Sequence, residues 1–266
     1  MREHEAEAEE KAIAFRDRHG LGIAPIKDLV ALAEEYMGLD LVFEELPVGI
    51  DALTTKDPEK GKVFVAVAVT ANVERQRFTI AHEIAHIEFD DLVEGFSPHP
   101  VNPVLEDRAH SFARHLLIPH SGIEHRLIES GAKPMKLQLE HLSLLIQYFG
   151  VSPTVVSIQL LEGSWISQET FDEWTEQDAG RLSLRYGWEV QRNAARAISS
   201  QKRPSQRLAS RAIELYRRGL VPISLVASVR GRSIDETKND MIAAGIFPEN
   251  VTADETSGDL GFVDEL

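Results

Sequence analysis

FTIAHEIAHIEFDD, residues 78–91, is the stretch on which the reading of this chain turns. Two histidines, His82 and His86, stand four apart, with Glu83 directly after the first. On a helix that spacing is one turn plus a little, so both imidazoles leave the same face with Cβ atoms about 6 Å apart. Such a separation suits neighbouring corners of a tetrahedral zinc ion. Glu83 is offset by about a third of a turn. Its carboxylate therefore falls beside a metal rather than on it, where it can take a proton from an activated water. Around these residues Phe78, Ala81, Ile84, Ala85 and Phe89 recur with helical period, which predicts a helix over 73–89 with an apolar face. In surroundings this apolar, two histidines and a carboxylate are costly unless something binds them.

A catalytic zinc needs a third protein ligand and an open position. The chain has no cysteine, so only His, Asp or Glu can serve. The candidates nearby are Glu106, Asp107, His110, Asp90, Asp91 and His99. VLEDRAHSFARHLLIP (104–119) reads as the next helix, with a stripe of Leu105, Ala109, Phe112, Ala113, Leu116 and Leu117 and with Pro119 at its end. Glu106 lies at the border of that stripe, and His110 is one turn later on the same edge. Asp90 and Asp91 end the first helix and are expected a turn beyond His86, poorly placed to reach back. His99 falls in the proline-rich 94–103 loop. Glu106 is taken as the third ligand, with His110 as the alternative or as a residue bracing a ligand from behind.

Upstream, 5–19 reads as a helix, and APIKDLVALAEEYMG (24–38) as a second one started by Pro25 and stopped by Gly38. Residues 39–46, 49–56 and 62–69 read as strands separated by Pro47, Gly49 and the polar DPEKG turn, which together predict a small antiparallel sheet. Downstream, 135–162 reads as two short helices around YFGVSPTVV, with Gly150 as stop and Ser152 as N-cap. The rhythm of that pair is shared by a helix-turn-helix and by any αα-hairpin. It contains no Lys or Arg between 142 and 161, so packing rather than DNA binding is expected.

RQRFTIAHEIAHIEF followed by LEDRAHSFARHLLIP resembles the ImmA/IrrE family of zinc metallopeptidases, gluzincin-like enzymes of the HExxH type. The segment from APIKDLVALAEEYMGLDLVFEELP through the three strands is similar to that family's approach to its motif. The family's second motif commonly reads Glu-x-Glu-Ala-Asn-x-Phe-Ala and ends in Leu-Leu-Met-Pro. Here Glu106, Ala109, Phe112, Ala113, Leu116, Leu117 and Pro119 match, while Arg108 replaces the second glutamate and His110 stands where asparagine is usual. The likeness covers about residues 10–160. It implies an α+β fold in which a small sheet supports the HExxH helices. It implies Zn2+ held by His82, His86 and Glu106, with Glu83 as the general base of peptide hydrolysis. It also implies a regulatory role in which the protein substrate is a helix-turn-helix repressor. A peptidase fold that is catalytically inactive and serves as a binding module is the alternative; an intact Glu83 favours the enzyme.

The remainder of the chain is expected to be helical. The peptidase region is placed at 1–162 and a connecting region at 163–205. A small helix-turn-helix-like domain is placed at 206–247, with N-caps at Ser224 and Ser233, and an acidic disordered tail at 248–266. Trp165, Trp174 and Trp188 are expected as packing residues. The net charge of −15 opposes whole-protein affinity for nucleic acid or anionic membrane. Residues 201–232 are the exception, with eight Lys/Arg against the single acid Glu214, which makes 206–232 the one candidate for DNA contact. The N-terminal MREHEAEAEEKAIAFRD lacks the apolar run of a signal peptide, and the longest apolar stretch, VFVAVAV (63–69), is strand-length, so no membrane association and a cytoplasmic location are expected.

Overall fold

Local chemistry accounts for most of the boundaries seen in a computed structural model, which describes residues 2–92 and 102–249. The chain divides into two compact units, Met1–Lys202 and Arg203–Leu266. In the first, α1 (Arg2–Arg18) buries Ala8, Ala12 and Phe15, a helical spacing that sets one face inward. The helix predicted over 24–38 starts later. Asp28, not Pro25, caps it by accepting the Ala31 N–H, because a carboxylate supplies the acceptor that proline lacks. The result is α2 (Leu29–Ala31), which widens into a π turn over Leu32–Tyr36.

Strands β1 (Asp40–Glu44), β2 (Ala52–Lys56) and β3 (Val63–Ala68) form one sheet in the order β1-β3-β2. The sheet is mixed rather than antiparallel. β3 runs parallel to β1, pairing Leu41 with Val65, and antiparallel to β2, pairing Thr54 with Val65. The tight turn at 57–61, where Asp57 accepts from the Glu59 and Lys60 N–H groups, forces β2 and β3 to be neighbours. The longer 45–51 link can step across two strand spacings, about 9.6 Å, and leaves β3 in the middle. Val63, Val65 and Val67 point into the core with the period of two that the sequence shows.

Against this sheet packs α3 (Val73–Glu88), and α4 (Pro103–Leu117) packs on α3 and α1, followed by α5 (His120–Glu129), α6 (Leu139–Phe149) and α7 (Pro153–Glu162). Phe15, Ile84, Phe112, Leu116, Leu117, Leu142 and Phe149 are all buried in one core. Gly150, at φ 67°, and the Ser152 cap produce the turn between α6 and α7. Residues 163–202, whose pattern is weak, fold as α8 (Gln168–Thr175), α9 (Ala179–Tyr186) and α10 (Glu189–Ser199). Trp174 and Trp188 are buried there, and the Trp188 indole N–H donates to Ser143 Oγ at 2.9 Å.

The second unit holds α11 (Gln206–Arg217), α12 (Ile223–Arg230) and α13 (Ile234–Ala243) around Ala212, Leu215, Val226, Ala227 and Met241. Ser233 opens α13 in a capping box with Glu236. Ser224 does not cap α12. That helix begins at Ile223 behind Pro222, whose fixed backbone suits the boundary without a side-chain acceptor. Residues 93–101, with His99, and 250–266, with most of the expected acidic tail, lie outside the described residues. Among the described residues no single helix is long and apolar enough to cross a membrane.

Candidate metal centre

The helix that carries the histidines is anchored at its start. Asn72 caps α3 by accepting the Arg75 N–H at 2.9 Å. The Gln76 amide donates to the carbonyls of Ala68 and Ser199, at 2.9 and 3.0 Å, and so ties α3 to the end of β3 and to α10. Arg77 donates to the carbonyls of Gly150 and Ile26, at 3.1 and 2.7 Å. Its burial pulls the guanidinium pKa below its ordinary value. Ala81, Ile84 and Ala85 fill the face turned to the core, which leaves His82, Glu83 and His86 on the flank towards α4 and β2. Asn102 and Pro103 start α4 in register to bring Glu106 opposite the histidines.

Donor atoms of three residues converge. His82 Nε2 and His86 Nε2 are 3.0 Å apart. Glu106 reaches them with Oε2 at 3.2 Å from His82 Nε2 and Oε1 at 3.7 Å from His86 Nε2. A tetrahedral zinc with ligands at about 2.0–2.1 Å separates its corners by about 3.3 Å; the His82–His86 and His82–Glu106 Oε2 distances lie just under that value, and the second carboxylate oxygen is the one nearer His86. The set is two imidazoles and one carboxylate, borderline donors suited to a zinc-class ion. The residues therefore fit the ion that the sequence implies. His86 is buried, whereas the side chains of His82 and Glu106 are 14% and 25% exposed, so one side of the trio faces outward. His110 does not join the trio. Its ring packs between Phe78 and His82, with centroids at 5.8 and 4.7 Å.

Asp91, expected to be poorly placed as a ligand, is not one of the trio, but its carboxylate does reach His86 from behind. The α3 helix ends in a Schellman turn in which Asp90 takes a left-handed conformation, φ 50°. There the Asp91 N–H donates to the His86 carbonyl at 3.1 Å and the Asp90 N–H to that of Ile87 at 3.1 Å. The reversal folds Asp91 back over the last turn, and His86 Nδ1 donates to its Oδ1 at 2.7 Å. Arg108 holds the other oxygen of Asp91 at 3.0 Å while its guanidinium lies 3.9 Å over the Phe89 ring. Arg108, the departure from the family's second motif, thus braces the carboxylate that orients His86.

Glu83 is buried, and the Thr54 hydroxyl of β2 donates to its Oε2 at 2.6 Å. That contact joins the sheet to the site and fixes the carboxylate's rotamer. Thr54 carries no motif, and only the inward phase of its strand marks it. Tyr148 borders a separate cavity with Arg126 and Phe149, and His115 faces α1, so neither stands at the trio. A cavity of 1220 Å³ extends from Phe78 and His110 along α4 to His115 and His120. Its described lining includes the His110 ring, which packs on His82, but not the trio itself.

Residues 34–161 match the family model of the IrrE N-terminal-like domain, Peptidase_M78, which bears out the resemblance carried by the two motifs. Among solved structures, a Mycobacterium tuberculosis transcriptional regulator is 18% identical with a TM-score of 0.40, the likeness covering 60% of this chain and 46% of that one. The chain therefore spans less than half the length of that protein. No curated protein matches.

Proposed function

Because residues 34–161 of this chain belong to the IrrE N-terminal-like peptidase family, we propose that it is a zinc-dependent endopeptidase acting as an intracellular regulator, with a DNA-binding repressor as substrate. The observation that carries the reading is the convergence of His82, His86 and Glu106 within 3.7 Å, with Glu83 next to them on the same helix. His82, His86 and Glu106 would hold the ion. A zinc bound there supplies Lewis acidity, which activates water and polarises a peptide carbonyl. Glu83 accepts the proton of the attacking water and passes it to the departing amine. The Thr54 hydroxyl keeps Glu83 aimed, and Asp91 with Arg108 keeps the His86 lone pair turned towards the trio. Net charge supports a basic segment of the substrate as the part recognised, since the chain carries 43 acids against 28 Lys and Arg.

Direct DNA contact through 206–232 has less support. Arg217 is paired with Glu214 and Glu249, and Arg230 and Arg232 both with Asp240. The helix that follows that segment, α13, sets Asp235, Glu236 and Asp240 against Lys238 alone. The deciding experiment is capture of partners from host lysate with Glu83→Gln, which keeps the ligands and removes the base. A trapped transcription factor that wild-type protein cleaves carries the proposal. Digestion of unstructured casein without any such partner leaves a general peptidase, and stable complexes with no cleavage by wild-type protein leave a peptidase fold used for binding.

A further inference from the structure

A second group of histidines and carboxylates sits at the far end of the same cavity. His115 of α4 is 3% exposed. Its Nε2 lies 2.8 Å from Glu5 Oε1, and Arg114 donates to that same oxygen at 2.7 Å. The wiring repeats that of His86, where a carboxylate accepts from one ring nitrogen and an arginine holds the carboxylate. In both places the arrangement fixes which nitrogen carries the proton and leaves the other with its lone pair. For His115 that other nitrogen is Nδ1, and the Gln159 amide donates to it at 3.3 Å, which agrees with the tautomer.

Two further donors stand beside the ring. Glu9 Oε1, on α1, is 4.0 Å from Nδ1, and the His120 ring, on the first turn of α5, has its centroid 5.1 Å from that of His115. One ligand atom from each of Glu9, His115 and His120 falls within 4.8 Å of the others. Closing these separations to the roughly 3.3 Å of a tetrahedral site asks for rotation of Glu9, whose side chain is 40% exposed and free to swing. The ion displaces only the longer of two Gln159 contacts, since the amide also donates to the Ile118 carbonyl at 2.9 Å. Gln159 is wholly buried, yet its Oε1 has no hydrogen-bond partner, so a polar atom beside the cluster is still unsatisfied. The overlapping set of Glu5, His115 and Glu162 is a poorer choice, because Arg114 already supplies a cation to both carboxylates.

We propose that Glu9, His115 and His120 form a second divalent-metal centre for a zinc-class ion, which pins α1 to α4 and α5. Two imidazoles and one carboxylate select such an ion over calcium or magnesium. The site is separate from the trio on α3 and α4 and does not depend on its occupancy.

The test is metal stoichiometry of the full chain after equilibration with Zn2+ alone and gel filtration, repeated with Co2+ to read the visible absorption of each centre. Wild-type protein is expected to hold two equivalents, Glu9→Gln and His120→Gln one, and His82→Ala one, with far-ultraviolet circular dichroism confirming the fold of each. Glu9→Gln, at a half-exposed position, decides the matter if His120→Gln fails to fold. One equivalent in wild-type protein that disappears in His82→Ala overturns the second centre and leaves the first intact. One equivalent that survives His82→Ala and disappears in Glu9→Gln supports the second centre and removes the first. Two equivalents that persist in Glu9→Gln also overturn the assignment, as does wild-type protein that holds none.

Discussion

His86 Nδ1 donates to Asp91 Oδ1 at 2.7 Å across a left-handed turn at Asp90, so the turn that ends the ligand's helix supplies the group that orients the ligand. The turn costs little: Asp is among the few residues that adopt this conformation readily. Arg108, from α4, completes the chain of contacts. Asp91→Ala is expected to leave the fold intact and to weaken zinc binding by about 10–100-fold, the usual cost of removing such a partner. Competition with a chromophoric chelator measures it. Unchanged affinity would remove Asp91 from any role at the site.

His82→Ala, His86→Ala and Glu106→Ala should each lose the trio's ion, whereas His110→Ala should keep it, because the His110 ring is packed beside His82 and outside the converging donors. Cobalt absorption in each variant separates the cases. Zinc-site spectra preserved in Glu106→Ala and lost in His110→Ala would reverse the ligand assignment.

Glu83→Gln should retain metal and lose about 10²–10⁴-fold in kcat, the contribution of a positioned acid–base group. Thr54→Val removes only the hydroxyl that holds Glu83. A hydrogen bond to a charged group contributes about 1.5–3 kcal/mol, so a loss of roughly tenfold or more in kcat, with KM little changed, is expected on a cleavable substrate. Equal losses for both variants would mean that Thr54 does more than orient the base.

Acid should loosen α1. Burial raises the Glu5 carboxyl pKa, but hydrogen bonds from His115 and Ser111 and the charge of Arg114 outweigh it and hold the group down at about 2, against an ordinary 4.5. A depressed pKa means stability that is fully present above 4.5 and lost as pH falls from 4.5 towards 2. Urea melts of wild type and Glu5→Gln should therefore differ by a constant amount above pH 4.5 and converge below it. Parallel behaviour down to pH 2 would contradict the ion-pair network.

Gly122 of α5 is a site of close approach. A Cβ there would sit 2.5 Å from the Ile23 carbonyl oxygen and 3.1 Å from the Phe149 ring. Gly122→Ala should cost about 1–3 kcal/mol through overpacking, read from the midpoint of denaturation. Gly131→Ala meets nothing within 4 Å but must adopt a positive φ of 75°, so any loss there comes from backbone strain alone.

The sequence alone determined what depends on neighbours in the chain. The pairing of His82 with His86, the apolar stripe of α4, the period-two strand at 63–68 and the stop at Gly150 are consequences of helical and extended repeat lengths, and each appears in the structure. Glu106 was legible as a candidate because it shares an edge with those stripes. Only tertiary structure decided the contacts between distant segments. Strand order turned on how the 45–51 link crosses the sheet, a choice open to any link of that length. Thr54 reaches Glu83 across 29 residues and Glu5 reaches His115 across 110, and no local period encodes either. The bracing contact of Asp91 was hidden for a smaller reason: extrapolating a helix past its last turn ignores the left-handed residue that reverses it, and one backbone angle brings the carboxylate to hydrogen-bond distance of His86 Nδ1.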